Sequence, residues 1–148
     1  MDKWHQASDR DTPPEVLRAL ATDEDDDIRA DVAGNTRTPI ETLIQLARDS
    51  CPWVRSGAEG NSSIPVYVLR WLATDENKNV RFAVAGYNDR TPPDLLMALA
   101  SDEEDSIRLG VARNPYVPFA ALALLAQDED DGVRRMAQRR LSMHRPRM

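Results

Sequence analysis

The chain has 148 residues, 41% of them hydrophobic and 30% charged, a composition of folded soluble proteins that excludes an intrinsically disordered chain. No apolar run approaches the roughly 18 residues a membrane span needs, the opening residues Met1–His5 lack the apolar core of a signal peptide, and one cysteine, Cys51, excludes an internal disulfide or a multi-cysteine metal site. The net charge of −6 hides an asymmetry. All 25 acidic residues lie at or before Asp131, whereas six arginines follow it, so residues 1–133 carry −12 and the last fifteen +6. An acidic body repels phosphate backbones, which argues against nucleic acid as a partner. A cytoplasmic protein is expected.

A self-repeat of 26 residues, lengthened once to 27, organises the chain. Val/Ile-Arg recurs at Ile28-Arg29, Val54-Arg55, Val80-Arg81, Ile107-Arg108 and Val133-Arg134. Leu-Ala keeps the same metre from Leu20-Ala21 to Leu125-Ala126. An aspartate follows two residues after each Ala, at Asp23, Asp49, Asp75, Asp102 and Asp128, and Pro recurs at 13, 39, 65, 92 and 118. Self-similarity at this period predicts a solenoid whose units bury their apolar faces against neighbours. The expected organisation is one repeat domain over 1–148, with units at about 12–37, 38–63, 64–90, 91–116 and 117–141. Residues 1–11 and 139–148 would form its end caps.

In chain order, Trp4 and Ala7 resemble the remnant of a second helix that closes the first unit. Each unit then opens a helix A at its proline. Thr12-Pro13-Pro14-Glu15, Thr38-Pro39-Ile40-Glu41 and Thr91-Pro92-Pro93-Asp94 predict a threonine N-cap, a proline at the first helical position and an acid completing a capping box. Ile64 and Val117 replace that threonine in the third and fifth units. Positions 40, 43, 46 and 47 predict the apolar stripe of helix A. A polar, acid-rich turn follows (Asp23 to Asp27, Asp102 to Asp105, Asp128 to Asp131), suited to capping the next helix and complementing its dipole. Helix B, as in Ile28-Arg29-Ala30-Asp31-Val32-Ala33, is about two turns long and expected to be partly 3₁₀. Gly34, Gly60 and Gly86, with Asn35, Asn61 and Asn88, predict a left-handed residue at its end. Nothing alternates with period two, so no strand is expected. The extra residue belongs in the loop Gly86-Tyr87-Asn88-Asp89. In the fifth unit, Pro118-Phe119-Ala120-Ala121-Leu122-Ala123-Leu124-Leu125-Ala126 is apolar all round, so a cover is expected from Arg139–Met148 or from a second copy of the chain.

The words Asn114-Pro115-Tyr116-Val117-Pro118, Leu-Ala-x-Asp and Val-Arg-x-x-Val-Ala resemble the leucine-rich repeat variant family over roughly Thr12–Met136. That resemblance implies α helices alternating with short α or 3₁₀ helices in a right-handed, all-α solenoid. The best-known type of the family adds a cysteine-rich iron–sulfur segment, which this chain lacks. The Asp-x₅-Arg spacing is also similar to that of HEAT repeats.

Chemistry-bearing residues are sparse. His5 and His144 stand at opposite ends, Cys51 has no neighbouring His in sequence, and there is no glycine-rich phosphate loop or paired metal-ligand spacing. Asp128-Glu129-Asp130-Asp131-Gly132 departs from a calcium loop, with its glycine at the fifth place and Arg139 where the bidentate acid belongs. No enzyme and no cofactor are expected. The ladder of Arg29, Arg55, Arg81, Arg108 and Arg134 reads as structural, each reaching the Asp six residues before it or the equivalent Asp of the next unit. Outward positions equivalent to 15, 19 and 22 carry an aromatic pair only in the third unit, Tyr67 and Trp71. Such a pair is either an interface anchor or a lid over an inter-repeat groove. Phe82 and Leu109 follow two ladder arginines and are candidates for a small apolar strip on the inner surface. Protein–protein binding is therefore the expected function. A HEAT-like nucleic-acid or DNA-repair role, and an accessory subunit of a metallo-enzyme system, are the alternatives.

Overall fold

The computed structural model describes residues 2–86 and 89–143, which form eleven α helices and no strand. They are α1 (Lys3–Ser8), α2 (Pro14–Leu20), α3 (Asp26–Gly34), α4 (Ile40–Leu46), α5 (Pro52–Gly60), α6 (Val66–Leu72), α7 (Lys78–Ala85), α8 (Pro93–Leu99), α9 (Asp105–Arg113), α10 (Phe119–Leu125) and α11 (Asp131–Met143). The even-numbered helices are helix A of the repeats. The odd-numbered ones from α3 onward are helix B, and α1 is one more helix B. The protein is thus an all-α repeat fold of solenoid type. Helix B is α-helical throughout the described residues, not partly 3₁₀, and in each described repeat it is longer than the seven-residue helix A. Helices of this length are marginal alone, so their stability comes from packing on their neighbours. No described helix is long and apolar enough to cross a membrane.

The chain divides into two compact units, Met1–Val80 and Arg81–Met148, the division falling inside α7. In the first, α1 packs on α3 and α3 on α5, with α2, α4 and α6 laid against them. In the second, α9 packs on α11 while α8 and α10 lie alongside. The core is one Leu, Val or Ile per position per repeat: Leu17, Leu43, Leu69 and Leu96 are fully buried on helix A, and Val54, Val80, Ile107 and Val133 on helix B. Close approach of α3 and α5 depends on Gly57. A Cβ there would lie 3.0 Å from the Ala30 carbonyl oxygen and 3.3 Å from the Ala33 Cβ.

Several local expectations need correction. Helix A starts one residue later than the threonines predict: its N-cap is the proline, with no side-chain cap in any of α2, α4 or α8. Thr12, Thr38 and Thr91 are buried and instead donate their hydroxyls to the carbonyls of Gln6 (2.6 Å), Val32 (2.6 Å) and Val84 (2.8 Å). The hydroxyl serves carbonyls near the end of the preceding helix, and no capping box forms. Ile40, expected in the stripe, sits at the first turn of α4 and is half exposed.

Among the described residues no residue, glycine or otherwise, has positive φ, so helix B does not end in a left-handed residue. Asn35, Asn61 and Asn114 do other work. Each side-chain amide crosses to the previous repeat and donates to two backbone carbonyls: Asn35 to Ala7 and Asp9, Asn61 to Ala33 and Asn35, and Asn114 to Ala85 and Gly86. Each side-chain oxygen accepts from the N–H two residues on. Residues Tyr87 and Asn88, where the insertion falls, lie outside the described residues, as do Met1 and 144–148.

Candidate interaction surface

The ladder uses both partners the sequence offers, by different groups. Arg29 Nε and Nη2 grip the Asp49 carboxylate of the next repeat at 2.8 and 3.0 Å. Arg55 grips Asp75 at 2.7 and 2.8 Å, Arg81 grips Asp102 at 2.8 and 3.1 Å, and Arg108 grips Asp128 at 2.8 and 3.0 Å. Nη1 turns back to the carbonyls of the repeat's own turn, at Asp23 and Glu24 for Arg29, Asp49 and Ser50 for Arg55, and Asp102 and Glu103 for Arg108. Each ladder aspartate also accepts the N–H two residues on, as Asp49 does from Cys51 at 2.9 Å and Asp128 from Asp130 at 2.9 Å. Bidentate, charge-assisted geometry of this kind is the strong form of an ion pair. Arg108 holds the Asp128 carboxyl below the usual carboxylate range against the opposing effect of burial. Burial works to raise the Asp49 carboxyl, but Arg29, the Cys51 N–H and the charge of Arg55 outweigh it. These cations and carboxylates are consumed in holding repeats together.

Near each end, a side chain that the period itself reveals takes over a ladder contact. Lys3 stands 26 residues before Arg29 and donates to Asp23 at 2.7 Å, while Ala7 of the same short helix is fully buried. Arg140 stands 26 residues after Asn114 and takes the asparagine's part, donating to the carbonyls of Ala112 (3.0 Å) and Asn114.

Variation is left to the outward face of helix A, where the positions equivalent to 15, 19 and 22 are exposed in every repeat. In the first unit of the fold this face carries Tyr67 and Trp71, their rings edge to face with centroids 5.5 Å apart and 51% and 39% exposed. The sequence reading missed a third member, Arg48 of the preceding repeat, whose guanidinium stacks 4.3 Å from the Trp71 ring centre. The signal for it was present: Arg48 occupies the outward position equivalent to 22. Trp71 therefore spans two repeats and still presents aromatic surface to solvent.

In the second unit, Phe82 is 43% exposed and its ring lies over Gly110, where a Cβ would come within 3.3 Å of the ring. Leu109, next to Gly110 in the chain, is half buried. Phe82 and Leu109 belong to a different compact unit from Tyr67 and Trp71. The expected cover over α10 is not made by any described residue. Phe119 and Leu124 stay 67% and 43% exposed, with Ala120 and Ala123 open beside them. The rest of the proposed cover, residues 144–148, lies outside the described residues.

The acidic turns of the fourth and fifth repeats line an open cleft of about 610 Å³ formed by Glu103, Glu104, Asp105, Glu129 and Asp130 around Arg108. At the first repeat the carboxylates of Asp25, Asp26 and Asp27 come within 4.8 Å of one another. Asp25 caps α3 through the Asp27 N–H, and Asp26 accepts from the Cys51 thiol at 3.2 Å. His5 bonds only locally, to Asp2 at 2.7 Å, and His144 lies outside the described residues.

No family model matches the chain, and no curated protein matches it. The likeness to the leucine-rich repeat variant family thus rests on the repeat words themselves.

Proposed function

We propose that the chain is a protein-binding repeat module of the leucine-rich repeat variant type, without catalysis of its own, and that the Tyr67–Trp71 face of α6 is its contact surface. The observation that carries the reading is the half-exposed aromatic pair braced by Arg48. Tyr, Trp and Arg are the residue types that dominate interface energetics. The polar groups of the frame support it too: Arg29, Arg55, Arg81 and Arg108 with their aspartates, and Asn35, Asn61 and Asn114, are spent on neighbouring repeats. A cytoplasmic setting accompanies this reading, and the acidic body disfavours a nucleic-acid partner.

The test is the double substitution Tyr67→Ala with Trp71→Ala, followed by capture from a cell lysate with mass spectrometry and by thermal melts. Specific partners of the parent chain should disappear. Losing the ring pair and one cation–π contact should cost stability only about 1–2 kcal/mol. Early melting with capture intact would reduce the rings to a lid over the inter-repeat groove.

The uncovered face of α10 favours a second reading, self-association through Phe119, Ala120, Ala123 and Leu124. Sedimentation of Phe119→Glu against the parent chain checks it. A parent chain that is monomeric at all concentrations removes this reading and leaves the first untouched.

A further inference from the structure

The fifth ladder arginine departs from the other four. Arg134 is pinned as three of them are, with Nη1 donating to its own turn at the carbonyls of Asp128 (2.7 Å) and Glu129 (3.2 Å). In Arg29, Arg55 and Arg108 that pinning aims Nε and Nη2 at the next aspartate, and their side chains are 10–14% exposed. The Arg134 side chain is 34% exposed, its Nη2 donates to Asp131 at 2.7 Å, and its Nε has no acceptor among the described residues.

We propose that Arg134 is an open rung of the ladder, a site for the side-chain carboxylate of an aspartate presented by a partner protein. The chain itself demonstrates the chemistry three times, at Arg29, Arg55 and Arg108, since a guanidinium held by two carbonyls presents a rigid fork that matches a carboxylate in two parallel bonds. The local ion pair with Asp131 does not close the site. Asp26 and Asp105 occupy the equivalent place in the first and fourth repeats, and there Arg29 and Arg108 still bind their aspartates. Asp131 is shared besides, accepting from Arg135 at 2.7 Å. Glu129 and Asp130 belong to the same acidic turn, within five residues of Arg134 in the chain. They oppose a doubly charged phosphate more than a singly charged carboxylate. The proposal rests on the protein-binding reading only for the source of the carboxylate. A small-molecule titration tests the site apart from it.

The full chain, labelled with nitrogen-15, is titrated with N-acetyl-aspartate N-methylamide, with the asparagine analogue and with inorganic phosphate, and the arginine Nε–H resonances are followed by NMR. Arg134→Gln assigns the signal. The Arg134 Nε–H should shift saturably with the aspartate analogue, toward the position of Arg29 and Arg108, and stay still with the asparagine analogue. Arg135→Gln should leave this response intact. An equal or larger response to phosphate would make the site a general oxyanion site and overturn the proposal. So would a silent Arg134 signal, one already at the ladder position before titration, or a response abolished by Arg135→Gln.

Discussion

Asn61 offers the sharpest test of how the repeats are joined. It is 1% exposed, its amide donates to the carbonyls of Ala33 and Asn35 at 2.8 Å each, and its oxygen accepts from the Ser63 N–H at 2.9 Å. Asn61→Ala leaves two buried carbonyls and an N–H without these partners. An unsatisfied buried group costs about 1–3 kcal/mol. Asn35 is itself 6% exposed, whereas Ser63 lies at the surface where water can replace the lost bond. The Asn35 carbonyl keeps the Thr38 N–H at 3.0 Å, so the Ala33 carbonyl bears most of the cost and the expected loss is about 1–3 kcal/mol, against a whole-domain stability of about 5–15 kcal/mol. Asn61→Asp should be at least as damaging, because it turns a carboxylate oxygen toward two carbonyl oxygens. Urea unfolding followed by circular dichroism at constant m-value measures both, with the exposed neighbour Ser62→Ala as a control expected within about 0.5 kcal/mol of the parent. A loss below about 1 kcal/mol in Asn61→Ala would refute the view that this side chain bolts one repeat to the next.

Three further outcomes are expected. Leu43→Ala, Leu69→Ala and Leu96→Ala, each fully buried, should each cost about 2–5 kcal/mol in the same unfolding assay. Gly57→Ala should lower the melting temperature even though alanine is the better helix former by about 1 kcal/mol, since its Cβ meets the Ala30 carbonyl oxygen at 3.0 Å; a raised melting temperature would mean that α3 and α5 separate easily. The ladder carboxyls of Asp49, Asp102 and Asp128 titrate below their ordinary value near 3.8 in the folded chain, so their stabilisation is complete above that value and is lost as pH falls through the lowered native range. Arg108→Ala should destabilise at neutral pH by about 3–5 kcal/mol and flatten the acid limb of the stability profile; an unchanged acid limb would remove the Arg108–Asp128 pair from the explanation.

The period, the helical class, the core leucines and the outward positions were legible in the sequence because they are local or strictly repeated. Leu-Ala and Val/Ile-Arg return every 26 residues, and only a helix pair that buries the same face each time explains that metre. The sequence also singled out Tyr67 and Trp71, since i, i+4 spacing puts them on one face of any helix. What it could not decide is where each polar side chain spends its hydrogen bonds. Thr38 and Asn61 have local uses, a helix cap and a left-handed turn, that are the usual ones for their residue types. Tertiary structure overrides both by placing buried backbone carbonyls with a free lone pair within reach of the side chains. The same holds for Arg48 over Trp71 and for the unclosed fork of Arg134. The Asn61 bonds, the Arg48 stacking and the Arg134 fork depend on which repeat lies beside which group, a relation between residues about 20 to 28 positions apart that no local pattern encodes.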